Sequence, residues 1–156
     1  MTNKLNILFV CTGNTCRSPM AEWFFRDLCD KKKTSGKFNI QSAGTGAIDG
    51  WPASENAIAT LQKNGIDAHS HRSQRLTPEL LQWADIAIAM TQSHLGVIIN
   101  LSQNLSKKPE AKLLSEFSKK HNPISDPFGS GTDIYEDCFS EMKKHLCNLY
   151  DIIEKN

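Results

Sequence analysis

The chain lacks any long apolar run. Its first ten residues, MTNKLNILFV, hold a lysine and an apolar run of only six residues. That is too short for the hydrophobic segment of a secretory leader and far too short to cross a membrane. Excess charge is also missing: 18 basic residues stand against 17 acidic ones, a formal net charge of +1. Nothing in that balance predicts a nucleic-acid or membrane-surface partner, either of which calls for a concentrated basic patch. The five cysteines are odd in number and form no pair of C-x-x-C motifs, which excludes a disulfide framework and predicts reduced thiols in the cytoplasm. Internal repeats and low-complexity linkers are absent, so residues 1–156 are expected to form a single domain. A chain of 156 residues, 39% of them hydrophobic, can bury a core without covalent staples.

What is present alternates between two periods. Residues 5–10 form a continuous apolar run with one asparagine, the pattern of a strand buried on both faces. From Pro19 onward, Ala21, Phe24, Phe25 and Leu28 recur at helical spacing, with the proline tolerated in the first turn. Residues 38–42 predict a second strand and residues 54–63 a helix closed by Gly65. Thr77 and Pro78 open a short helix, DIAIAM at 85–90 is a third buried strand, and 92–105 a helix. Residues 112–117 are expected as a fourth strand. Ile134, Cys138, Met142, Leu146, Leu149 and Ile153 share one face of a last helix. Strand and helix in alternation predict a four-stranded parallel sheet with helices on both faces, a doubly wound α/β fold. Such sheets bind ligands beyond the carboxyl ends of their strands.

One segment sits at such an end. FVCTGNTCRSPMAE, residues 9–22, runs from the first strand into the first helix. A loop from Cys11 through Thr12, Gly13, Asn14, Thr15 and Cys16 to Arg17 and Ser18 can curl with its backbone N–H groups inward. The helix behind it adds unsatisfied N–H groups and the positive end of its dipole. Gly13 permits a backbone conformation that a side chain would obstruct. Arg17 offers a planar fork for two oxygens of a tetrahedral oxyanion. A thiol at the centre of that positive field is stabilised as its anion, so Cys11 reads as a nucleophile aimed at a bound phosphoryl group. No further cysteine or histidine pair has ligand spacing, so no metal site is expected, and no cofactor is called for.

The segment C-T-G-N-T-C-R-S-P-M-A-E resembles the phosphate loop of the low-molecular-weight protein tyrosine phosphatases. The likeness continues through SAGT (42–45), GWP (50–52), HRSQRLT (71–77), ADIAIAM (84–90) and DPFG (126–129). It implies that family's flavodoxin-like fold and a metal-free reaction through a cysteinyl-phosphate. On that resemblance Cys11 is the nucleophile, Arg17 the phosphate-binding arginine, and Asp126 the general acid that later acts as base towards water. Asn14, Ser18, Ser42 and His71 match a set that holds the loop rigid. Cys16 is similar to the family's second loop cysteine, able to trap oxidised Cys11 as a disulfide, although a small buried side chain would serve equally there. Phosphorylated proteins are the implied substrates, with phosphate and related oxyanions as inhibitors.

Two positions bear on which phosphorylated group is cleaved. The tyrosine-specific members usually carry isoleucine before the second loop cysteine, where this chain has Thr15, and their acid loop usually places Tyr or Trp after Asp-Pro, where this chain has Phe128. Threonine with D-P-F-G looks like the branch that hydrolyses phosphoarginine in proteins. The threonine makes a more polar pocket floor, and Phe128 an apolar wall for a phenyl ring or a guanidinium plane. Ile48, Asp49 and Trp51 are candidates to complete the mouth. The alternatives are a tyrosine phosphatase of the same family, an arsenate reductase and a non-catalytic phosphoprotein-binding module. The reductase needs further redox cysteines, yet none occurs between Cys29 and Cys138. A mere binder has no need of both Arg17 and Asp126.

Overall fold

A computed structural model describes residues 3–155. Four parallel strands, β1 (Leu5–Cys11), β2 (Phe38–Gly44), β3 (Ile86–Ala89) and β4 (Glu110–Leu113), lie in the order β2-β1-β3-β4. The five α-helices are α1 (Arg17–Lys31), α2 (Glu55–Lys63), α3 (Pro78–Trp83), α4 (Gln92–Ser102) and α5 (Thr132–Glu154). Alternate residues of β1 supply two cores, as a strand covered on both faces requires. Ile7, Phe9 and Cys11 pack with Met20, Phe25, Ala57, Leu61 and Met142 of α1, α2 and α5. Leu8 and Val10 pack with Leu81 and Ile98 of α3 and α4. Among the described residues no helix is long and apolar enough to cross a membrane.

Local chemistry sets the helix starts. Ser54 and Thr77 accept from the backbone N–H groups of Ala57 and Leu80, each at 3.2 Å, and so cap α2 and α3. Pro78 occupies the first turn of α3, where its missing N–H goes unused. Gly65, at φ 77°, ends the α2 segment in a conformation open to glycine at little cost.

Three expectations need correction. The fourth strand covers Glu110–Leu113 rather than 112–117, because β3 offers only four residues to pair with and the register joins Ile86 to Glu110 and Ala89 to Leu113. Beyond it Leu114–Ser118 turns into a 3-10 helix, whose Glu116 carboxylate accepts from the Leu113 N–H at 2.6 Å. Helix α4 stops at Ser102, three residues short of the expected end. Ile134 is half exposed, and Tyr135 and Phe139 take its place on the buried face of α5. At about 100° per residue, Ile134 lies roughly 80° from Met142 around the helix, whereas Tyr135 lies about 20° from it.

Candidate active site

The carboxyl end of β1 delivers Cys11 into the turn that starts α1, and its sulfur lies 2.9 Å from Ser18 Oγ. Donors and acceptors behind that contact form one consistent chain. The Asn14 amide nitrogen donates to Ser18 Oγ at 2.8 Å and to Ser42 Oγ at 2.9 Å. Ser18 Oγ thus bridges the Asn14 amide and the Cys11 sulfur. Ser42 donates to the Glu22 carboxylate at 2.6 Å, and Arg26 Nε binds that carboxylate's other oxygen at 2.9 Å. Asn14 Oδ1 accepts from the Gln74 N–H at 2.9 Å. The Asn14 carbonyl lies 2.9 Å from His71 Nε2, which must donate, leaving Nδ1 to accept from the Trp23 indole at 3.2 Å.

Asn14 is fully buried at φ 57°, a left-handed conformation that asparagine adopts at moderate cost. Its side-chain amide and its carbonyl are all occupied, so the strained turn is held from several directions. Gly44 completes the seat. A Cβ there would lie 2.3 Å from the Thr12 carbonyl oxygen, so only glycine lets β2 approach the loop this closely.

Loop carbonyls are drawn outward. Thr12 O accepts from Gly46 N and Thr15 O from Ser54 N, each at 2.9 Å. Arg17 is buried at 5% exposure. Its Nη1 donates to the Ile124 carbonyl at 2.9 Å, and Nη2 lies 3.7 Å from Asp126 Oδ2. Asp126 is half exposed, and its Oδ1 accepts from the Phe128 N–H at 3.0 Å. A cavity of about 220 Å³ is lined by Cys11, Thr12, Gly13, Thr15, Cys16, Arg17, Asp126 and Phe128. A thiol, a guanidinium, a carboxylate and the start of a helix thus converge on a space fit for a tetrahedral anion.

All eight of those lining residues were singled out in the sequence. Asn14, Ser18, Ser42 and His71 stand behind them as the supporting network. The mouth candidates lie outside this lining: Ile48 and Trp51 are largely exposed, and Asp49 accepts from the Arg75 N–H at 2.8 Å. Ser73 braces their loop, donating to the Ile48 carbonyl at 2.5 Å and accepting from Trp51 N at 3.0 Å. Among the described residues no group of three or more His, Cys, Asp or Glu side chains could hold a metal ion.

Sequence reasoning missed the contacts that Tyr135 and His94 make with the loop. Tyr135 places its hydroxyl 3.1 Å from Cys16 Sγ. Buried His94 sets Nε2 2.8 Å from Thr12 Oγ1 and Nδ1 3.0 Å from Thr91 Oγ1. Burial first, and the Arg17 charge second, bring the His94 pKa down from 6.5 to about 4. The unfolded chain therefore takes up a proton between pH 6.5 and 4 that the folded one refuses, and stability falls as pH drops through that window. His145, also lowered chiefly by burial, acts in the same direction. Urea midpoints should decline from pH 7 to pH 5, with a shallower decline in His94→Gln; equal slopes in the two proteins would contradict this.

Known proteins resemble this chain over nearly its whole length. Residues 6–156 match the family model of the low molecular weight phosphotyrosine protein phosphatases. A protein-arginine-phosphatase of Bacillus subtilis is 36% identical over 153 residues, 97% of this chain and 99% of that protein. One from Geobacillus stearothermophilus is 39% identical, with 95% of each chain covered. Among solved structures, the YwlE arginine phosphatase mutant with a phosphorylated active-site serine superposes with a TM-score of 0.89 at 34% identity, over 97% of each chain. Matched by that family model over residues 6–156 and by these relatives over nearly its whole length, the chain belongs to the low-molecular-weight phosphotyrosine protein phosphatase family of enzymes.

Proposed function

We propose that this enzyme removes the phosphoryl group from phosphoarginine in proteins by way of a phosphocysteine at Cys11. The carrying observation is the single cavity that holds Cys11, Arg17, Asp126, Thr15 and Phe128. Oxyanion oxygens sit against the loop N–H groups and the Arg17 fork. The Cys11 sulfur attacks phosphorus as the P–N bond breaks, and Asp126 gives its proton to the departing guanidine nitrogen. Asp126, now a carboxylate, takes a proton from water, whose oxygen attacks phosphorus and breaks the P–S bond. Inorganic phosphate leaves, and the thiolate is restored. Side chains supply every step, without a cofactor.

The arrangement of residues supports the remaining roles. Asn14, Ser18, Ser42 and His71 hold the loop in its strained shape, which spares the transition state that ordering cost. Cys16, in the same cavity, is the partner for oxidised Cys11 in a reversible disulfide. Proteins bearing phosphoarginine are the substrates, free phosphate is a competing oxyanion, and the five unpaired thiols suit a cytoplasmic setting. Named relatives support the substrate class: two protein-arginine-phosphatases are 36% and 39% identical, and in a YwlE arginine phosphatase mutant the active-site serine that replaces a cysteine has been seen phosphorylated.

Thr15 carries the preference for phosphoarginine over phosphotyrosine. Its hydroxyl makes part of the cavity polar, and the preference reflects unequal stabilisation of two transition states. Measured under matched conditions, kcat/KM should be higher for phosphoarginine peptides. Thr15→Ile should move the ratio toward phosphotyrosine by roughly 10-fold or more while keeping phosphatase activity. A wild-type preference for phosphotyrosine would overturn the substrate choice and leave the family assignment standing.

A further inference from the structure

We propose that Tyr135, far from Thr15 in the chain, is a specificity-positioning residue that acts on Thr15 through the Cys16 sulfur. Cys16 Sγ lies 3.1 Å from the Tyr135 hydroxyl and 3.5 Å from Ser54 Oγ, and those two oxygens are 3.2 Å apart. Their protons close a ring: Cys16 donates to Ser54, Ser54 to Tyr135, and Tyr135 to the Cys16 sulfur. Burial first, and the bond to Cys16 second, hold the Tyr135 phenol up to about 12, so its proton stays available to donate. Thr15 Oγ1 stands 3.7 Å from the same sulfur, within reach of a weak hydrogen bond. Ser54 also fixes the Thr15 backbone, donating its N–H to the Thr15 carbonyl at 2.9 Å.

The consequence lies in a rotamer. Threonine has three staggered positions at χ1, and each turns a different pair of hydroxyl, methyl and hydrogen toward the cavity. Thr15 is only half-buried, so packing alone does not choose among them. A sulfur held in place by two hydroxyls does choose, because it fixes where the Thr15 hydroxyl finds its partner. A hydroxyl set in one direction distinguishes a guanidinium, rich in N–H donors, from an aryl ring, which has none at the same place. The phenol oxygen thereby joins the phosphate loop, the α2 cap and α5 in one substrate-selecting contact. This inference rests on the phosphoarginine reading above and on Thr15 carrying it.

The test is kcat/KM for matched phosphoarginine and phosphotyrosine peptides with the full chain, its Tyr135→Phe and Thr15→Val variants, and the double variant. Phenylalanine keeps the ring that fills the core at 2% exposure; should the variant nevertheless fold poorly, Ser54→Ala opens the same ring of hydrogen bonds from its other side. Tyr135→Phe is expected to lower the phosphoarginine-to-phosphotyrosine ratio by about 3- to 10-fold, the scale of one neutral hydrogen bond. The ratio should not fall further when Thr15→Val is already present. Equal losses on both substrates would reduce Tyr135 to a structural role and overturn the inference, as would an effect fully additive with Thr15→Val. A wild type that prefers phosphotyrosine overturns the substrate reading itself, and the inference with it.

Discussion

Cys11→Ser should abolish turnover, lowering kcat by on the order of 10⁴-fold or more, while the protein stays folded and still binds phosphate. The oxygen is a weaker nucleophile at neutral pH, because a serine hydroxyl is far harder to ionise than a thiol. The loop itself should persist. Its shape depends on Asn14, Ser42, Glu22 and His71, whose mutual bonds do not involve the Cys11 side chain. Gly44 still admits the loop against β2. Thermal unfolding and phosphate titration of the variant should therefore resemble the wild type. Substantial single-turnover hydrolysis by a pure Cys11→Ser sample would remove Cys11 from its proposed role.

Asp126→Asn should cost about 10²- to 10⁴-fold in turnover, with the penalty largest for the poorest leaving groups. Asparagine keeps the size of the side chain and an oxygen able to accept from the Phe128 N–H, the bond Asp126 makes at 3.0 Å. What it loses is the transferable proton. Aryl phosphates of acidic phenols leave without help and should suffer least, whereas alkyl-substituted phenols should suffer most. The Arg17 contact at 3.7 Å is too long to be a strong ion pair, so its loss should hardly change phosphate affinity. Equal penalties across a leaving-group series would contradict the assignment of Asp126 as the acid.

Local chemistry made the central segment legible. β1, the loop and α1 are contiguous in sequence, and an apolar run, a glycine and a first-turn proline marked each boundary to within two residues. The resemblance located Asp126, and the structure brings it to Arg17 across more than a hundred residues. Contacts made only by folding stayed hidden. Tyr135 is 119 residues from Cys16, and His94 is 82 from Thr12; each reads locally as an ordinary member of a helix. The end of β4 was equally invisible, since it follows from how many residues β3 offers on the neighbouring strand rather than from any signal in residues 110–117. Ile134 misled because spacing by fours drifts around a helix of 3.6 residues per turn.

A phosphocysteine route requires the phosphoryl group to pass through the Cys11 sulfur. The Asp126→Asn protein, slowed in later turnover because no carboxylate is present to activate water, should accumulate that species. Mixing it with a phosphorylated substrate of good leaving group, quenching rapidly with denaturant and mapping peptides by mass spectrometry locates the transferred phosphoryl group. The expected result is one phosphoryl group on the peptide containing Cys11, carried by that residue and lost in the Cys11→Ala background, where no side-chain atom can accept it. Continued turnover with no phosphoryl group on Cys11, or with the group on another side chain, would contradict the proposed mechanism.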